Sequence, residues 1–586
     1  MTAAMTDIWE PYAAKAVGAE RTVVVGAYEF IVTGAEGGPE DLGTAVPDQD
    51  GIVELAFAAA GDGPIRVAWQ FPCTDVTALW TPEATGRGWI PAAWTAPKRV
   101  SLTRGAPVAS LVGVGDVSRC TFAVREAEVL AAAGVHEETG EFRFWVQAEG
   151  RLTLRVDFSA RHFAHCLADV GRWWQDGREA DYPDSARLPA YSTWYSMHQD
   201  VTPEKVERQA ALGKPLGLEV IIVDDGWMTA DRRRGYGHCG DWDPVSLPDT
   251  AAHVARVHEL GVEYMLWYAI PFVGRESSMW EAFQPYALRV AEDLDTMVVD
   301  PRYPIVRAHL VERHARAVEA WGMDGLKIDF VDWFGASADA PQARPGADCA
   351  TVSEGVERLL AEVFQRIRAA KPTALVEFRQ PYVNPALWPY ATMIRAVDCP
   401  LSPAENRQRT VDVRLAAGTM PVHSDMLLWH AAEPAEQVAS HLINVLFSVP
   451  QVSVDLAGLG VGQREALAFW LGVFRRYRDV LQLGTLEPSR PDLGYPVVRA
   501  YDGTTEIVAR YAALPVDGAG TWEELLVANA DADPYVRVVG GSGAVRAVVR
   551  DCRGAEVWEG MVELGDVVPY VPRGGLLTVS RGGLTA

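Results

Sequence analysis

From Glu20 to about Phe158 apolar and polar residues alternate in short runs: RTVVVGAYEFIVTG, GIVELAFAA, PIRVAWQFP, EFRFWVQAEG and RLTLRVDF, parted by Gly, Pro and Asp. Period-two alternation turns one face of each run to a core and the other to water, which predicts an antiparallel β-sandwich. The stretch HFAHCLADVGRWW (162–174) changes to helical spacing and predicts a linking helix.

From about Leu188 the texture changes. Apolar runs PAYSTWYS, LEVIIVDDGW, VEYMLWYAIPF, GLKIDF, ALVEFRQ, TMIRAVDCP, MPVHSD and PQVSVDL alternate with amphipathic stretches such as TAAHVARVHELG and VSEGVERLLAEVFQRIRAA. Eight continuous apolar runs suit strands buried on both faces, and their number over about 270 residues matches one (β/α)₈ barrel. An open doubly wound sheet would carry a glycine-rich phosphate loop after an early strand, and none is present. After REALAFWLGVFRRYRDVL the alternation returns in PVVRAYD, TEIVARYAA, ELLVANAD, AVRAVVRD and LLTVSR, which predicts a small C-terminal β-sandwich. The expected architecture is α/β, with domains at 1–175, 176–488 and 489–586.

A chain of 586 residues exceeds one core, and its formal charge of −25 argues against nucleic acid or anionic membrane surfaces as partners. The start, MTAAMTDIWEPYAAKAVGAER, lacks a basic segment followed by an apolar one, so a cytoplasmic protein is expected. The most apolar stretch, 442–462, is broken by Asn444, Pro450, Gln451 and Asp455, and reads as a buried helix running into a buried strand. Seven cysteines without CxxC or His spacing indicate neither disulfides nor zinc. Cys399 reads as a packing residue rather than a catalytic thiol.

Chemistry enters at the strand ends. Asp329 closes GLKID and Asp398 follows TMIRAV, and carboxylates at the C-terminal ends of barrel strands share one face. Such a pair suits glycoside hydrolysis, in which one carboxyl is ionised while the other carries a proton. Asp224 and Asp225 end the second strand and can accept hydrogen bonds from neighbouring sugar hydroxyls; the DxDxDG spacing of a calcium loop is absent. Lys327, two residues before Asp329, points to the same side. Trp194, Trp267 and Trp333 lie at or past strand ends, where an indole face can stack on a sugar or simply fill the core. Arg379 is expected either to pair with Glu377 or Asp398 or to face the ligand. His423 falls at the end of strand seven, as a structural residue or a ligand contact.

The strings LGLEVIIVDDGW, GDW (240–242), VHELGVEYMLWY, GLKIDF and VSVDLAGLGVGQREALAFWLGVFRRYRDVL together resemble glycoside hydrolase family 36, the melibiase-type α-galactosidases. The resemblance implies an N-terminal β-supersandwich, a TIM barrel and a C-terminal β-sandwich. It implies Asp329 as nucleophile, Asp398 as acid/base, Asp224 and Asp225 on the C4 and C6 hydroxyls, and Lys327 and Trp267 as further sugar contacts. One departure is that the family's Cys and Gly run at strand five is here VEFRQPYVNP (376–385), so the glycone is left open between galactose and another sugar. Glu377 with Arg395 resembles the strand-five glutamate and following arginine of the related family 27, which contact the 2-hydroxyl.

The expected activity is that of a retaining exo-α-glycosidase, most simply an α-galactosidase, on an oligosaccharide or α-glycoside, with no metal or organic cofactor. Transglycosylation of the raffinose-synthase type, or a non-catalytic sugar-binding protein on the same fold, are the alternatives. Homo-oligomerisation is left open.

Overall fold

The computed structural model describes residues 20–35, 51–59, 61, 63–82, 90–92, 95–176 and 181–581. The first 19 residues, on which the expectation of no secretory signal rests, lie outside the described residues. The chain forms two compact units.

One unit comprises Met1–Arg178 with the short pieces Tyr382–Ala386 and Arg490–Gly494. Its strands make a six-stranded and a five-stranded antiparallel sheet. The alternating residues of both meet in one core around Trp69, which stacks on Phe144 at 5.3 Å and meets Phe122 edge-on at 5.2 Å. This is the sandwich that period-two alternation predicts. The expected linking helix forms at Phe163–Gln175, capped by the His162 side chain, which accepts from the Ala164 N–H.

The other unit holds the barrel. Its strands are β1 (Ala190–Ser192), β2 (Val220–Val223), β3 (Glu263–Ala269), β4 (Gly325–Asp329), β5 (Leu375–Arg379), β6 (Met393–Arg395), β7 (Val422–His423) and β8 (Gln451–Val452). They pair in parallel in the order 7-6-5-4-3-2-1-8, and isolated bridges from His423 to Val449 and from Leu427 to Val452 bring the ends together. Helices α1 (Pro203–Gly213), α2 (Thr250–Glu259), α3 (Pro304–Glu319), α4 (Val352–Ala370), α5 (Pro403–Ala416) and α6 (Ala435–Asn444) connect them, save that β5 reaches β6 through the 3₁₀ turn Pro385–Tyr390. Thr202, Thr351 and Ser402 cap α1, α4 and α5 by accepting a backbone N–H three residues on. The 442–462 stretch is the end of α6 followed by β8, and among the described residues no helix is long and apolar enough to cross a membrane.

Eight strands between Thr485–Pro488 and Leu576–Ser580 follow in this unit. They form one continuous sheet around a shared core that includes Trp522, Leu525 and Val549, and two of its pairings are parallel. The flanking β domain expected from alternation is present, but periodicity does not fix strand direction.

Candidate active site

The barrel interior is layered because alternate residues of each strand point inward. Ala190, Val220, Ile222, Met265, Leu375 and Met393 form an apolar floor. One step up, Trp267, Lys327 and Glu377 stand in register on β3, β4 and β5. Arg379, Arg395 and His423 stand in register on β5, β6 and β7. Polar groups therefore crowd the C-terminal ends, above one apolar floor.

Asp329, the last residue of β4, is held on both oxygens. Oδ1 accepts from Arg379 Nε at 2.5 Å and from the Phe330 N–H at 2.7 Å, and Oδ2 accepts from Trp267 Nε1 at 2.9 Å. Phe330 adopts φ +64°, which turns its N–H back onto the preceding carboxylate. Burial pushes the Asp329 carboxyl up, but Arg379, then Lys327 and Arg395, pull it down, and it is held well below the usual carboxylate range. With two donors on Oδ1 and one on Oδ2, Oδ2 retains a lone pair for a reacting atom.

Asp224 and Asp225 lie buried at the end of β2. Asp224 Oδ2 accepts from Lys327 Nζ at 2.5 Å, and its backbone N–H donates to Thr193 Oγ1 at 2.9 Å. Asp225 Oδ2 accepts from Gln199 Nε2 at 2.7 Å, while burial and then the Asp224 charge push its carboxyl up to about 7.

The far side is organised by Arg395, which is only 1% exposed. Its Nη1 donates to Asp425 Oδ1 at 2.6 Å and its Nη2 to Asp398 Oδ1 at 2.9 Å, and its Nε lies 3.6 Å from Glu377 Oε1. The Asp398 side chain is 48% exposed, whereas Asp425 and Glu377 are sealed. Burial raises Asp398, yet Arg395 and Lys327 hold it below its ordinary value, with Asp329 opposing them. Asp398 thus lies within the electrostatic reach of Asp329. Asp425 is pushed up to about 6 by burial and by Asp398, against Arg395. His423 Nε2 lies 2.7 Å from the Ala186 carbonyl, so Nε2 carries the proton and Nδ1 accepts from Gln451 Nε2 at 3.1 Å. Gln451 also donates to Glu377 Oε2.

Several sequence expectations change at this level. Arg379 pairs with Asp329, and more distantly with Asp332 at 3.8 Å, and its charge also acts on Asp398. Trp267 is 1% exposed and spends its N–H on Asp329, so its ring is no stacking platform. Glu377, Arg395 and His423 are buried within the polar network, as deeply as Asp224, Asp225 and Lys327. Trp194 and Trp333 are half-buried and keep accessible rings, with Arg234 and Arg289 respectively 5.5 Å from the ring centroids. The GDW segment is structural: Asp241 accepts from Ser277 and Ser278, and Trp242 packs on Trp227, Tyr268 and Trp267. Burial raises the Cys399 thiol, and the Cys399 backbone N–H donates to Asp425 Oδ2 at 2.7 Å.

Asp425, Gln451, Gln199 and Tyr195 escaped sequence reasoning. Asp425 was within reach, because HSD repeats at β7 the two-residue spacing of KxD at β4. Tyr195, whose hydroxyl donates to Asp425 Oδ2 at 3.1 Å, and Gln199 come from a turn after β1 that carries no motif.

Comparison with known proteins fits this arrangement. Residues 179–333 match the Melibiase family model. The α-galactosidase Mel36A of Lactobacillus acidophilus is 25% identical over 160 residues, 26% of this chain and 21% of that protein. The α-galactosidase AgaA of Geobacillus stearothermophilus is 24% identical over 196 residues, 32% of this chain and 27% of that protein. Sequence similarity to these curated relatives thus spans about a fifth to a quarter of their length. The solved structure of AgaA superposes with a TM-score of 0.66 at 16% identity, covering 97% of this chain and 85% of that one. A variant of AgaA has been solved with raffinose, and it superposes with a TM-score of 0.64 at 15% identity. Residues 179–333 of this chain are therefore similar to the melibiase family, and the chain has the fold of the GH36 α-galactosidase structures it superposes on.

Proposed function

We propose that the protein is a retaining, exo-acting α-glycosidase that removes terminal α-galactosyl units. The observation that carries this reading is the asymmetry of two carboxylates. Asp329 is fixed by three hydrogen bonds and held ionised, while Asp398 stands half-exposed at the mouth on a single arginine. The first is built to attack and the second to exchange protons with a leaving group and with water.

In the first step Asp329 forms a bond to the anomeric carbon as the glycosidic C–O bond breaks, and Asp398, which must be protonated against the pull of Arg395 and Lys327, passes its proton to the departing oxygen. In the second, Asp398 takes a proton from water, whose oxygen displaces Asp329. Trp267, Arg379 and the Phe330 N–H orient the nucleophile; Lys327 offsets the charge of Asp224 beside the sugar. The names of similar proteins, among them AgaA solved with raffinose, support galactose as the sugar.

A second reading, another glycone, is favoured by Arg379, whose guanidinium fills the end of β5 where the family has small residues. Incubation with nitrophenyl α-galactoside, α-glucoside, α-N-acetylgalactosaminide, α-xyloside and β-L-arabinopyranoside decides between them. Fastest turnover of the galactoside is the expected result; preference for another glycoside replaces the sugar, and no turnover of any removes the enzymatic reading. NMR of the first-formed anomer tests retention.

A further inference from the structure

The turn that follows β1 sits directly on Asp224 and Asp225. Thr193 Oγ1 accepts the Asp224 N–H, and Gln199 Nε2 donates to Asp225. The approach is so close that a Cβ on Gly226 would lie 2.5 Å from the Gln199 Cα. Between Thr193 and Gln199 lie Trp194 and His198, whose rings meet edge-on at 4.7 Å. His198 is held at φ 46°, ψ −128°. That is a sparsely populated conformation for a residue with a Cβ, and such strain gathers where position matters for function.

Against these two rings lies Arg234, from the loop after β2. Its guanidinium carbon is 5.5 Å from the Trp194 ring centroid and its Nη2 is 2.8 Å from His198 Nε2. The neighbouring cations have partners: Arg232 and Lys205 share Asp200, and Arg233 holds Asp231. Arg234 has no carboxylate within salt-bridge distance among the described residues, although the chain carries 78 Asp and Glu against 53 Lys and Arg. Two aromatic rings thus hold a guanidinium in place while most of its five donors remain unused. Its partner His198 adjoins Gln199, which holds Asp225, and lies within the electrostatic reach of Asp224, whose own charge is offset by Lys327.

We propose that Arg234, positioned by Trp194 and His198, binds an acidic substituent of the substrate, a carboxylate, sulfate or phosphate on the sugar that Asp224 and Asp225 hold. A guanidinium suits such a group because its fixed donors can take two oxygens at once. The inference rests on the proposed glycosidase reading for the place of the sugar.

Calorimetric titration of the Asp329→Asn protein tests it without turnover. The probes are methyl α-galactopyranoside and the same glycoside with a carboxylate, sulfate or phosphate at C6. One of the three acids should bind about tenfold more tightly than the neutral glycoside, and which one identifies the group. Adding Arg234→Gln should erase that excess and leave the neutral glycoside unchanged, while Arg234→Lys should restore part of it. The proposal is overturned if the neutral glycoside binds as well as every acid, or if the preference survives Arg234→Gln. Binding of the neutral glycoside alone would leave the galactosidase reading standing and remove this one. Binding of an acid alone, lost with Arg234→Gln, would do the reverse, and no binding of any probe would remove both.

Discussion

The two halves of the barrel solve one problem differently. On the β2–β4 side each acidic group has its own simple partner: Lys327 on Asp224, Gln199 on Asp225, and Trp267 with Arg379 on Asp329. On the β5–β8 side a single buried guanidinium, Arg395, serves Asp398, Asp425 and Glu377, and Gln451 and His423 back it. The match to the Melibiase family model, residues 179–333, covers the first side and stops before the second. A nucleophile needs a fixed charge, which local pairs supply. An acid/base must gain and lose a proton, which is easier when its counter-charge is shared with a second carboxylate.

The largest effect should come from the first side. Asp329→Asn keeps shape and removes the proposed nucleophile, and kcat on an aryl α-galactoside should fall by about 10⁴ or more, with the circular dichroism spectrum unchanged. Retention of a tenth of the activity in protein free of contaminating glycosidase would remove Asp329 from its role. Asp398→Ala should cost about 10²–10⁴ on substrates with poor leaving groups and much less on dinitrophenyl glycosides, which need no proton. Equal losses on both would show that Asp398 is not the acid.

Stability separates the halves next. Arg395→Met strands buried Asp425 and Glu377 together, and urea unfolding should show a loss of about 3–5 kcal/mol. Lys327→Met breaks one short ion pair, that with Asp224, and should cost less; the opposite order would contradict the shared role of Arg395.

Smaller effects concern pH. Asp425, pushed up to about 6, ionises as pH rises, and its charge then favours the protonated form of Asp398. Asp425→Asn removes that charge, so the alkaline limb of kcat/KM on an unactivated galactoside should move to lower pH. A limb that stays in place would uncouple the two. Arg379 is the leading cation holding Asp329 down, so in Arg379→Gln the nucleophile protonates at higher pH and the acidic limb should move up. An unmoved acidic limb, with the loss spread evenly over pH, would limit Arg379 to packing.

Much of this could be read from the chain alone. Period-two alternation before Phe158, apolar runs separated by helical spacing after Leu188, and carboxylates at the ends of those runs determined the β and barrel regions and put Asp224, Asp225, Lys327, Asp329 and Asp398 on one face. These follow from local periodicity, since a strand alternates sides whatever it packs against. Which cation meets which carboxylate was decided only by the tertiary structure. Arg379 lies two residues from Glu377 in sequence, yet its Nε reaches Asp329, 50 residues away, because β4 and β5 are neighbours and their ends are level. Asp425 and Asp398 become a pair only because Arg395 stands between β5 and β7 and is sealed from water, where an unpaired charge is costly. Trp267 is an indole at a strand end in the sequence; the depth of its ring and the nearness of Asp329 make it a hydrogen-bond donor rather than a sugar platform, and burial is a property of the packed chain alone.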